Sequence, residues 1–271
     1  MSAEHDPRQI GAADLEWYET GHINSTLILT ELARIDRRQG RQIAIYCQLP
    51  DYFKLTYSAG TPLWAWIGGR HRDARVISQI LHGFHGGGGA EVSRRQAFLR
   101  ARLRSYMREG APDWQLGITA HALGDAFAHT YRDDDGERHA YGYPLGHGLD
   151  FICGVKPDHI SQHPELYLDY CRALYWALCG EDARDSIEFA GFEGGFRATL
   201  SHPRFQEASR AGQEAMVTDY IVERSRDDTT HADFRTAMDA LDYDEVIGLL
   251  RSFAVDLEGW EPDGQFRHRP A

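Results

Sequence analysis

The chain has 271 residues, 42% of them hydrophobic and 26% charged, with a formal net charge of −12. That length supports one large domain with a real core, or two small ones, and the composition is ordinary for a globular chain. An acidic surface repels phosphate backbones, which argues against a stable nucleic-acid complex; a polynucleotide would have to be held through bound cations. No apolar run approaches the length of a membrane span. The opening residues, MSAEHDPRQIGAADLE, have neither the basic nor the apolar stretch of a secretory signal. Synthesis in the cytoplasm is therefore expected, with a signal-independent route of secretion left open.

In chain order, residues 1–13 are expected to be a flexible N-terminus. Asp14 to about Arg37 has helical spacing, with Leu15, Tyr18, His22, Thr26, Leu29 and Ala33 on one stripe, and Gly40 closes that unit. Arg41–Leu49 predicts a second, buried helix that Pro50 interrupts or bends. Tyr57–Gly69, with Gly60, Pro62, Gly68 and Gly69 around Trp64 and Trp66, predicts a loop. Ala74–Phe84 is helical in pattern, and the run Gly86–Gly89 is a helix stop. Glu91–Met107 and Pro112–Tyr131 predict two more helices. Arg132–Pro144 and residues 145–160 predict loops.

Pro164–Leu178 carries Leu166, Tyr170, Leu174 and Leu178 on one stripe. Arg197–Pro203 breaks the pattern. Gln206–Arg224, His231–Ala240 and Asp244–Val255 predict the last helices, and residues 259–271 a flexible tail. No strand alternation and no repeat is visible. The expected architecture is all-α, a single multi-helix domain over residues 14–258.

Four cysteines, Cys47, Cys153, Cys171 and Cys179, form no C-x-x-C pair, which argues against a thiolate zinc site. Cys171 and Cys179 are expected to be buried free thiols. The 14 histidines are uneven: six of them, His121, His129, His139, His147, His159 and His163, fall within residues 121–163. In His121-Ala-Leu-Gly-Asp125-Ala-Phe-Ala-His129 each polar residue lies four from the next. Four residues of helix turn through about 400°, so the three side chains share one face. The residues between them are small or apolar, so the face is expected to be buried. A buried carboxylate needs a partner, and a divalent cation supplies one, since imidazole and carboxylate are zinc ligands. An Asp between two His can bridge two ions. The competing reading is a metal-free His–Asp hydrogen-bond network.

Further candidates are His22 in Trp17-Tyr-Glu-Thr-Gly-His22, Asp51 in Gln48-Leu-Pro-Asp51, and His82 and His85 before the glycine run. Beyond them come His147, followed by Asp150, and Asp158 in Lys156-Pro-Asp158. In this order the residues resemble the zinc-dependent phospholipase C and single-strand nuclease superfamily, and most closely its bacterial phospholipase-C-like branch. The resemblance covers about residues 14–165. It implies an all-helical fold with a multinuclear zinc site and phosphoester hydrolysis by water activated between the ions. The ligands it implies are His22, Asp51, His82, His121, Asp125, His129, His147 and Asp158, with His82 preferred over His85 and Asp158 over Asp150. His82, His121 and Asp125 would hold one ion, and His129, His147 and a carboxylate another. Asp51 would orient or deprotonate the water.

Secreted members of that family expose the amine of an N-terminal Trp to zinc. Trp17 is internal, so unless the chain is cut before it two ions are expected, or a third held by His22 with other partners. The aromatic residues Tyr52, Phe53, Tyr57, Trp64 and Trp66 after Asp51 could meet lipid or a nucleobase, or belong to the core. The acidic balance points to a phospholipid or small phosphoester as substrate. The absence of a leader fits an antibacterial or virulence effector delivered into another cell. The alternatives are a nuclease of the same superfamily and a helical binding or scaffold module with a structural metal site.

Overall fold

The computed structural model describes residues 17–52, 55, 71–143, 159–179 and 186–260. They are mostly helical, as the sequence pattern requires. Two elements form the N-terminal arm: a π-helical segment, Trp17–Asn24, running directly into α1, Ser25–Leu32. The single helix expected from Asp14 to Arg37 is therefore not formed: the chain turns at residues 33–36, where Arg34 takes a left-handed φ of 58°. α2, Arg37–Tyr52, follows. Gly40 lies inside it rather than ending the previous unit, and Pro50 lies within its last turn.

α3, His71–Val76, passes into a π-helical turn, Ile77–Leu81, which ends at His82, before the glycine run. Gly88 is the N-cap of α4, Gly89–Glu109, so the glycines open a helix here rather than close one. α5, Asp113–Ala128, carries the H-x3-D sequence. It stops three residues short of the expected Tyr131, because the chain then forms a hairpin that its alternation is too short to announce. β1, Thr130–Arg132, pairs antiparallel with β2, Arg138–Ala140, and bridges His85–Gly142 and Gly88–His139 tie the hairpin to the glycine segment.

A 3₁₀ turn, Ile160–Gln162, leads into α6, Pro164–Cys179. α7, Ile187–Ser201, occupies a stretch that sequence reading leaves unassigned, and it runs through Arg197. Pro203 then sits at the start of the short α8, Pro203–Glu207, where the missing N–H and fixed φ of proline are tolerated. α9, Arg210–Ser225, α10, His231–Ala240, and α11, Tyr243–Glu258, complete the fold. Side chains of Ser186, Ser209, Thr230 and Asp242 cap α7, α9, α10 and α11, each accepting from the first-turn backbone. Trp260 is buried, edge-on to Phe98, so the ordered chain passes residue 259.

α5 is the centre of the molecule. It packs most extensively on α2, then on α4 and α6, and every residue from Leu116 to Ala128 is buried. A helix buried all round needs small residues where neighbours cross closely. At Gly117 a Cβ would lie 2.7 Å from the Ile43 carbonyl oxygen of α2, and at Gly124 it would lie 2.9 Å from the His22 ring. Each glycine costs about 1 kcal/mol of helix propensity relative to Ala, and each lets a neighbour approach that Ala would push away. Among the described residues no helix is long and apolar enough to cross a membrane.

Candidate metal centre

The fold brings three elements to one face of α5. The N-terminal π-helical segment supplies His22, the last turn of α2 supplies Asp51, and the residue after the second π-helical turn is His82. α5 itself supplies His121 and Asp125, with His129 just past its end. π-Helical turns are rare and concentrate at functional sites; here one contains His22 and the other delivers His82. His121 is fully buried, and His22, His82 and Asp125 are nearly so.

Asp125 is the hub. Its Oδ1 lies 3.0 Å from His22 Nε2. Its Oδ2 lies 2.9 Å from His82 Nδ1 and 3.3 Å from His121 Nε2, and those two nitrogens are 3.3 Å apart. The rings of His22 and His121 stack at 4.2 Å. Asp51 Oδ1 stands 3.9 Å from His121 Nε2. His22, His121 and Asp125 thus form one group whose ligand atoms lie within 4.8 Å of one another, and Asp51, His82 and His121 form a second.

The opposite ring nitrogens are tied to main-chain oxygens. His121 Nδ1–H donates to the Cys47 carbonyl at 2.8 Å and His82 Nε2–H to the Leu55 carbonyl at 2.9 Å. A carbonyl only accepts, so these bonds fix both tautomers. With those protons placed, a neutral His82 and a neutral His121 each turn a lone pair toward Asp125 Oδ2. Three acceptor atoms then face one another and repel unless a proton or a cation sits among them.

Electrostatics show the same tension. Burial pulls the His22 pKa down, but hydrogen bonds to Asp125 and Cys47 and the charges of Asp125 and Asp51 outweigh it and hold that pKa well above its ordinary value. Burial keeps His121 lower than usual. For Asp125 burial opposes ionisation, yet the charges of His121 and His129 and the His121 and His22 hydrogen bonds hold its carboxyl well below the usual range. Asp51 moves the other way, raised by burial against the partial relief of His121 and His22.

The donor set fits a divalent cation. Ligands about 2.0–2.1 Å from a tetrahedral ion lie about 3.4 Å from one another, and three atoms here are already spaced at 2.9–3.3 Å. The carbonyl bonds on the far nitrogens are the outer-shell contacts that metal-ligating histidines make.

Of the residues singled out from sequence, His22, Asp51, His82, His121 and Asp125 converge. His129 lies beside them, but its Nδ1–H donates to the His82 carbonyl at 2.6 Å, its ring stacks on Phe84 at 4.4 Å, and it enters neither group. His85 stands apart in its bridge with Gly142. His147, Asp150 and Asp158 lie outside the described residues, as do Phe53, Tyr57, Trp64 and Trp66. Sequence reasoning missed Gln48, Gly124 and the carbonyls of Cys47 and Leu55. Gln48 could have been found, since it stands one turn before Asp51; the carbonyls leave no mark in a sequence. Cys171 is a buried free thiol as expected, and Cys179 is only partly buried.

No family model matches the chain, and no curated protein or solved structure is detectably similar to it.

Proposed function

We propose that the chain is a zinc-dependent phosphoester hydrolase of the phospholipase C type. The observation that carries this reading is the trio His82 Nδ1, His121 Nε2 and Asp125 Oδ2, held at 2.9–3.3 Å with both far ring nitrogens committed to carbonyls. His82, His121 and Asp125 would hold a cation, with His22 on the second Asp125 oxygen and Asp51 Oδ1 as a further ligand from the edge. Zinc bound there supplies Lewis acidity toward a phosphoryl oxygen and lowers the pKa of neighbouring water.

The chain's own residues do the rest. The carbonyls of Cys47 and Leu55 fix the rings, so the donor atoms need no rearrangement. Asp51 is the general base: it accepts a proton from the attacking water, and burial raises its pKa toward the range in which a carboxylate is an effective base. A cation rather than a basic patch neutralises the substrate phosphate, which agrees with the net charge of −12. The aromatic residues that follow Asp51 in sequence suit a phospholipid more than a charged polymer, and delivery into another cell fits such an activity.

The test uses zinc-loaded wild type and Asp51→Asn, each given phosphatidylcholine vesicles and, separately, single-stranded DNA. Expected are zinc-dependent release of phosphocholine and a fall of about 100-fold or more in the variant. Cleavage of DNA alone moves the assignment to a nuclease. A second reading, a helical module with a structural cation, is favoured by the complete burial of His121, since structural zinc sites are closed. No turnover of either substrate at full zinc occupancy would select it.

A further inference from the structure

Gln48 is fully buried in the last turns of α2, three residues before Asp51 and on the same helix face. Its Nε2 donates to Asp51 Oδ2 at 2.8 Å. Its Oε1 is buried without a hydrogen-bond partner among the described residues. The amide orientation follows from chemistry: an ionised carboxylate only accepts, so the NH₂ end must face Asp51. A buried acceptor left without a donor costs its desolvation with nothing in return. A methionine of similar shape would avoid that cost, and the one bond the amide makes goes to Asp51. The neighbouring residue, Cys47, gives its carbonyl to His121, so this single turn of helix fixes two members of the cluster.

We infer that Gln48 is a positioning residue for Asp51: its amide clamps Oδ2 and thereby turns Oδ1 toward His121 and the cation. Nothing else in the described structure bonds Asp51 Oδ2, and Oδ1 is the oxygen that faces the His121 nitrogen, 3.9 Å away. This inference rests on the cation site proposed above. The clamp acts by restricting one torsion of a short side chain, so its effect appears in cation affinity, and it disappears when Asp51 is gone.

The experiment measures zinc affinity of the full chain by competition with a chelator, for wild type, Gln48→Met, Asp51→Ala and the double variant. Outer-shell substitutions weaken metal binding by about 10–100-fold, and that loss is expected for Gln48→Met alone. In the Asp51→Ala background the same substitution should change affinity less than twofold, because residues acting through one another are not additive. Equal losses in both backgrounds would overturn the inference, since packing damage is indifferent to Asp51. Wild-type affinity in Gln48→Met would overturn it too, while leaving the cation site intact. A wild type that binds no zinc sinks the site and the inference together. Gln48→Leu, which likewise cannot donate to Asp51, gives the same readout should the Met variant not fold, and it too should weaken zinc binding only while Asp51 is present.

Discussion

The first and last parts of the described chain bury opposite kinds of residue. Around α5, residues 17–143 enclose His22, Gln48, His82, His121 and Asp125. From Pro164 onward the interior is aromatic and aliphatic, with Tyr167, Tyr170, Phe192, Phe196 and Phe253 fully or almost fully covered. Of its buried carboxylates and serine or threonine hydroxyls, Glu214 and Ser225 are each hydrogen-bonded. Glu214 accepts from the backbone N–H groups of Ile160 and Ser161, and the Ser225 hydroxyl donates to Asn24. One region is packed for stability. The other holds a lone-pair conflict that apolar packing cannot relieve, and the second region's bonds to it, Ser225 to Asn24 and Tyr167 to Ser25 at 2.6 Å, keep the π-helical segment and His22 in place.

Substitutions should separate the two regions. Asp125→Ala has the largest effect: it removes the hub and leaves His22 buried without its counter-charge. Breaking a buried pair costs about 3–5 kcal/mol, so a large drop in denaturation midpoint should accompany complete loss of zinc. Phe253→Ala should cost a similar amount, about 3–5 kcal/mol, through lost burial and the cavity left behind. Below its lowered melting temperature, however, that variant should bind zinc as wild type does. Equal zinc loss in both variants would mean that the regions are not separable.

Gly124→Ala is a finer probe. Its Cβ would lie 2.9 Å from His22 Cε1 and 3.4 Å from Tyr170. Zinc affinity should fall at least about 10-fold, the lower end for displaced supporting contacts, as chelator competition would report. Gly117→Ala meets the α2 backbone instead and should lower stability with a smaller change in affinity.

The smallest effect concerns acid. Burial, with the charge of Arg95, lowers the His85 pKa to about 4. A histidine depressed on folding contributes stability that is complete above its ordinary pKa of 6.5 and is lost as pH falls from there toward about 4. Wild type should therefore lose more stability than His85→Gln across that window in chemical denaturation. Identical pH profiles would show that His85 titrates normally.

Part of this centre was legible in the sequence. The His121–Asp125 spacing on a helix of small residues announced a shared buried face, and the helical stripe from Leu15 to Ala33 pointed His22 inward. The grouping was less legible. His129 continues the same period and its Nδ1 stays 3.6 Å from Asp125 Oδ2, yet its Nδ1–H is committed to the His82 carbonyl. α7 was masked by Gly191, Gly194 and Gly195, which lower helix propensity, although Phe189, Phe192 and Phe196 repeat at helical spacing and are buried. The three-residue strands are too short for alternation to be read. Gly124 looks like a weak point of a helix until the His22 ring is seen against it.

The most direct test of the cation site is elemental mass spectrometry of wild type beside Asp125→Ala, after reconstitution with zinc. Stoichiometric zinc in wild type, lost in Asp125→Ala, is the predicted result. No stoichiometric zinc in either protein would contradict the account and leave the cluster as a proton-stabilised His–Asp network.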